Sequence, residues 1–115
     1  MSVTIYHNPS CGTSRRVLEM IRAKGIEPTI ILYLDEPPSK DKLKALLKAM
    51  GMRPRDLLRK RGTPYEELGL DDPRVSDERI LSLMVEHPIL IERPVVVTKK
   101  GTALCRPPEK VEALL

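Results

Sequence analysis

The chain has 115 residues, enough for one compact domain and too few for two of ordinary size. Hydrophobic residues make up 41% of it, with no Phe or Trp, so the core must be aliphatic; recurrent Leu, Ile and Val exclude a disordered chain, and no apolar run is long enough to span a membrane. The net charge of +4 comes from 20 basic and 16 acidic residues mixed along the chain, which suggests acidic partners or anionic substrates while most basic residues solvate helix faces.

The opening "MSVTIYHNPSC" lacks the basic start and long apolar segment of a secretory leader, so a cytoplasmic location is expected. Val3 to Tyr6 reads as a short strand, Asn8 and Pro9 turn the chain, and Cys11 to Lys24 carries a helical pattern with Val17, Met20 and Ile21 on one face. Gly25 stops that helix. "TIILYL" at 29–34 is a continuous apolar run, expected to form a buried strand parallel to the first through a right-handed crossover. Ser39 caps a second helix striped with Leu43, Leu46, Leu47 and Met50 and ended by Gly51. Pro54 opens a short third helix that buries Leu57 and Leu58. Ser76 caps a fourth, bearing Ile80, Leu83 and Met84, which must stop near His87 because Pro88 follows.

The final third changes period. "PVVVT", a turn at "KKG" and "TALCR" read as an antiparallel hairpin, and "PPEKVEALL" as a last helix. The order βαβ, helical insert, ββα is that of an α/β, thioredoxin-like fold: a four-stranded mixed sheet flanked by helices. The expected organisation is a single domain over residues 1–115 with a helical insert at about 39–87.

Cys11 stands where a strand, a turn and a helix start meet. A thiol at a helix N-terminus lies near free N–H groups and the positive end of the dipole, which favour the thiolate. Ser14 occupies the place of the second cysteine of a dithiol site, so "CGTS" can attack but cannot resolve its own product; its hydroxyl is expected to turn back toward the sulfur. His7 could assist deprotonation or, if protonated, stabilise the thiolate; a plain strand-end histidine is the equal alternative. A Cys-based phosphate loop needs arginine six positions after the cysteine, and Val17 stands there instead. No Cys/His cluster or CxxC pair suits a metal, and none is expected. Arg59, Arg93 and Arg106 stand at element edges, the latter two before prolines. Their forked donors suit a tetrahedral oxyanion.

"IYHNPSCGTSR", "EPTIILYL", "LLRK", "EHPILIERPVVVT" and "GTALCRPPE" together resemble the glutaredoxin-linked arsenate reductases, collinearly over nearly the whole chain. The resemblance implies Cys11 as the nucleophile, His7 and Ser14 as residues that tune it, and Arg59, Arg93 and Arg106 as the anion-binding set. It also implies a cis Arg93–Pro94 bond, arsenate as substrate, and glutathione as co-substrate with no bound cofactor. Glutaredoxin is the implied protein partner of a monomer that binds neither nucleic acid nor membrane. Cys105 is read as a strand residue packed near the site. The main alternative is a non-catalytic thiol redox regulator of the same fold that binds RNA polymerase. A second, nucleic-acid binding through Arg53, Arg55, Arg59, Lys60 and Arg61, lacks Phe or Trp for base stacking.

Overall fold

The computed structural model describes residues 2–115, and its chain falls into two compact units. One comprises the chain up to Glu36 together with Arg93–Leu115, and the other is Pro37–Glu92.

The first unit is built on a four-stranded mixed sheet. Strands β1 (Thr4–His7) and β2 (Thr29–Leu32) are parallel, joined by helix α1 (Gly12–Ala23). Strands β3 (Val95–Thr98) and β4 (Gly101–Leu104) form an antiparallel hairpin, and β3 pairs antiparallel to β1, giving the order β2-β1-β3-β4. This is the thioredoxin-like arrangement expected from the element order. Val3 and Ile5, two residues apart on a pleated strand, face the same side. There they join Val17 and Ile21 of α1 and Val96, Cys105, Val111 and Leu114 in one buried cluster. Val17 and Ile21 are fully buried, each contributing about 1.5–3 kcal/mol of transfer free energy and pinning α1 to the sheet.

Two expectations are corrected. The "TIILYL" run is an edge strand: it pairs only with β1, ends at Leu32, and leaves Thr29 and Leu32 exposed with Ile30 and Ile31 half-buried. An apolar run signals burial only through its neighbours, and among the described residues one side has no partner strand. The C-terminal segment is a 3-10 helix, Pro108–Leu114, rather than an α-helix. Side chains three apart eclipse in that geometry, and both Val111 and Leu114 are thereby sent into the core.

The second unit is helical. Ser39 caps α2 (Lys40–Met50) by accepting from the Lys42 N–H, and Gly51 closes it in the left-handed region at φ 65°. A 3-10 turn, Pro54–Leu57, follows; Ser76 caps α3 (Asp77–Glu86) by accepting from the Arg79 N–H. Leu43, Leu46 and Leu47 of α2 and Ile80, Leu81, Leu83 and Met84 of α3 are buried. Lys40 and Lys44 of α2 both pair with Glu78 of α3. A lone bridge, Leu58 to Ile91, ties the two ends of the segment. Among the described residues no helix is long and apolar enough to cross a membrane.

Candidate active site

Sheet register sets the stage. Val95 opposes Leu104 in the hairpin, and the ladder continues past the strand ends with the Cys105 N–H donating to the Pro94 carbonyl. One further step brings Arg93 opposite Arg106, and the Arg106 Nη1 donates to the Arg93 carbonyl at 3.1 Å. On the other side Tyr6 opposes Val95, so the same extension runs the residues after β1 past Arg93. The turn carrying Cys11 thus emerges at the sheet end where the two arginines sit.

Cys11 is the N-cap of α1, extended at φ −96° and ψ 121°, with its side chain half-buried and making no capping hydrogen bond. Its sulfur lies 3.7 Å from the Arg106 Nη1. Burial alone would raise the thiol's pKa. The backbone N–H of Ser14 and the guanidinium groups of Arg93 and Arg106 outweigh that, so the pKa falls below the ordinary thiol value. The first turn of α1 holds no acidic residue, and Arg15, donating to the Pro9 carbonyl at 2.9 Å, adds positive charge there instead. Arg93 is 8% exposed, and its Nε and Nη1 are buried without a hydrogen-bond partner among the described residues. Buried guanidinium donors left unpaired are costly, and a bound anion would accept from them.

The Ser14 hydroxyl does not turn toward the sulfur. It lies 2.6 Å from the His7 Nδ1 and accepts from the Asn8 N–H at 3.1 Å, all of it buried. What faces Cys11 is the Ser14 backbone N–H. Burial, reinforced by the positive fields of Arg22 and Arg15, lowers the His7 pKa and keeps the ring neutral. A neutral ring with its proton on Nε2 accepts at Nδ1, so in that tautomer the Ser14 hydroxyl donates to the ring while accepting from the Asn8 N–H. His7 thus bonds the Ser14 hydroxyl and not the cysteine.

Arg59 belongs to the helical unit. Its Nη1 pairs with the Glu92 carboxylate at 2.9 Å, and its Nε donates to the Arg61 carbonyl at 3.1 Å. Cys105 follows β4 and is wholly buried in the aliphatic cluster. Its sulfur touches the Ala103 carbonyl, and burial pushes its pKa up to about 11. It is a core thiol. A cavity of about 230 Å³ runs along the later turns of α1, lined by Arg16, Glu19, Met20, Ala23, Lys24, Glu112 and Leu115, and holds none of the candidate site residues. Among the described residues no three His, Cys, Asp or Glu side chains gather as a metal site.

A family model described as ArsC family matches residues 6–114. The chain belongs to the ArsC family. An arsenate reductase of Escherichia coli is 58% identical over 114 residues, covering 99% of this chain and 81% of that protein. One from Rhizobium meliloti is 57% identical over 115 residues, covering 100% and 82%. Among solved structures, an arsenate reductase from Vibrio cholerae superposes with a TM-score of 0.95 at 43% identity, over 100% of this chain and 98% of that one. In this ArsC chain both Arg93–Pro94 and Arg106–Pro107 are cis, the second without any signal in the sequence reading. The Asn-Pro pair marks the turn in the sequence, but the bonds from Asn8 to the Ser10 N–H and the Ser14 hydroxyl carry no such signal.

Proposed function

We propose that this ArsC protein reduces arsenate to arsenite, with Cys11 as nucleophile and glutathione and glutaredoxin as thiol donors. The observation that carries the reading is a half-exposed, depressed-pKa sulfur beside two guanidinium groups, one with two buried donors unpaired. The names of the relatives agree with arsenate reduction.

Arg93 and Arg106 offset the charge of the oxyanion and hold it for attack. Arg59 joins them on the strength of the resemblance alone. The Cys11 thiolate forms a sulfur–arsenic bond and an arsenate oxygen leaves as water or hydroxide, assisted by proton transfer. The glutathione thiolate then contributes the second sulfur. Arsenic(V) accepts two electrons and leaves as arsenite, and the two sulfurs are left as a Cys11–glutathione disulfide. Cys105 is buried away from solvent and does not resolve that disulfide. A glutaredoxin thiol therefore regenerates Cys11 by exchange. The protein acts as a cytoplasmic monomer, where such thiols are kept reduced.

The test is steady-state arsenite formation with glutathione and glutaredoxin, set beside thioredoxin as donor. Turnover is expected with glutaredoxin and none in Cys11→Ser. Retention of full activity by Cys11→Ser would eliminate the nucleophile, and equal turnover with thioredoxin would remove the donor assignment.

A further inference from the structure

Asn8 is 3% exposed and is tied to the nucleophile's loop by three hydrogen bonds. Its side-chain Oδ1 accepts from the Ser10 N–H at 2.9 Å. Its carbonyl accepts from the Cys11 N–H at 3.0 Å. Its own N–H donates to the Ser14 hydroxyl at 3.1 Å. The carbonyl bond closes a β-turn over Asn8–Cys11 with Pro9 at the second position, where its fixed φ is preset for the turn. The side-chain bond closes a second, overlapping Asx turn inside the first.

Pro9 and Ser10 themselves are exposed and have little packing to hold them. The loop between β1 and α1 is therefore located chiefly by Asn8 at one end and by the helix at the other. We propose that Asn8 is a positioning residue for the nucleophile: its Asx turn and its bonds to Cys11 and Ser14 hold the sulfur facing the Ser14 N–H and the guanidinium groups of Arg93 and Arg106. This rests on the reading of Cys11 as the attacking thiolate. Loss of the Oδ1 acceptor turns the Ser10 N–H out to water and leaves the loop tied by the Cys11-to-Asn8 backbone bond, the Asn8 N–H to Ser14 and the Arg15 contact with the Pro9 carbonyl, none of which fixes Ser10. The sulfur then samples orientations in which the groups that favour its anion no longer face it.

The residue is not in the left-handed region, so alanine introduces no backbone strain. The test compares wild type, Asn8→Ala and Asn8→Ser by ultraviolet thiolate absorbance against pH and by the rate of iodoacetamide alkylation below neutral pH. Asn8→Ala is expected to carry about tenfold less thiolate at a given acidic pH, a rise of about one unit in the titration midpoint, with alkylation slowed. Asn8→Ser, whose shorter hydroxyl can still accept from Ser10, should lie between it and wild type. In the wild-type protein, the Ser10 amide should exchange slowly with solvent despite its exposed position, a measurement that stands even if Asn8→Ala does not fold. A wild-type titration curve in Asn8→Ala, a Ser variant no better than the Ala variant, or unprotected exchange at Ser10 would overturn the assignment. None of these readouts uses arsenate, so they separate this inference from a failure of the proposed reduction.

Discussion

Replacing Arg106 by Gln keeps a planar but shorter donor and removes one positive charge 3.7 Å from the Cys11 sulfur. Two unit charges about 4 Å apart attract by about 1 kcal/mol under full water screening and about 4 kcal/mol at an effective dielectric of about 20. Both side chains are partly exposed, so screening places this pair toward the lower figure. A loss of about 1.4 kcal/mol raises the thiol's pKa by about one unit. Thiolate absorbance against pH measures that directly, and the pH profile of arsenite formation should move the same way. Arg106 also donates to the Arg93 carbonyl, so Arg106→Gln alone would mix charge with geometry. Arg106→Lys separates them: it retains the charge and should bring the titration most of the way back. A point-charge ammonium cannot reproduce the forked contact, so the arsenate KM should stay raised. An unshifted Cys11 titration in Arg106→Gln would refute the electrostatic argument. A Lys variant indistinguishable from the Gln variant would assign the effect to the lost contact instead.

Native labelling with a thiol-specific disulfide reagent should modify Cys11 quickly and Cys105 only after unfolding, because Cys105 is sealed and its thiol is pushed up to about 11. Comparable rates at the two sites would contradict the burial. The His7 ring should titrate below its ordinary value of 6.5 when followed by NMR. A lowered folded-state pKa means that the fold favours the neutral ring. That contribution is present above about pH 6.5 and is lost as pH falls through the folded pKa, so urea stability should decline on that side. His7→Gln should decline less, and a midpoint at or above 6.5 would refute the neutral assignment.

Cys11 and Ser14 were legible because their setting is local. A strand, an Asn-Pro turn and a helix start within a dozen residues dictate that the thiol sits at a helix N-terminus whatever the rest of the chain does. The helix caps at Ser39 and Ser76 were legible for the same reason, each being closed by a side chain three residues from its donor. The C-terminal segment was not, since helix type there follows from which side chains the core accepts. The apolar pattern of 29–34 likewise could not say whether a further strand would cover its outer edge, and among the described residues none does.

The sequence by itself determined the order of strands and helices, the cysteine's place at the start of α1 and the absence of a neighbouring resolving thiol, because each depends on residues close together along the chain. Tertiary structure decided that Arg93 and Arg106 meet beside that sulfur, through hairpin register carried beyond the strand ends. It also decided that the Ser14 hydroxyl serves His7 and Asn8 while its backbone N–H serves the thiolate. Hydrogen-bond direction and pairing across a sheet depend on which distant groups arrive at a point, and residue spacing holds no record of that.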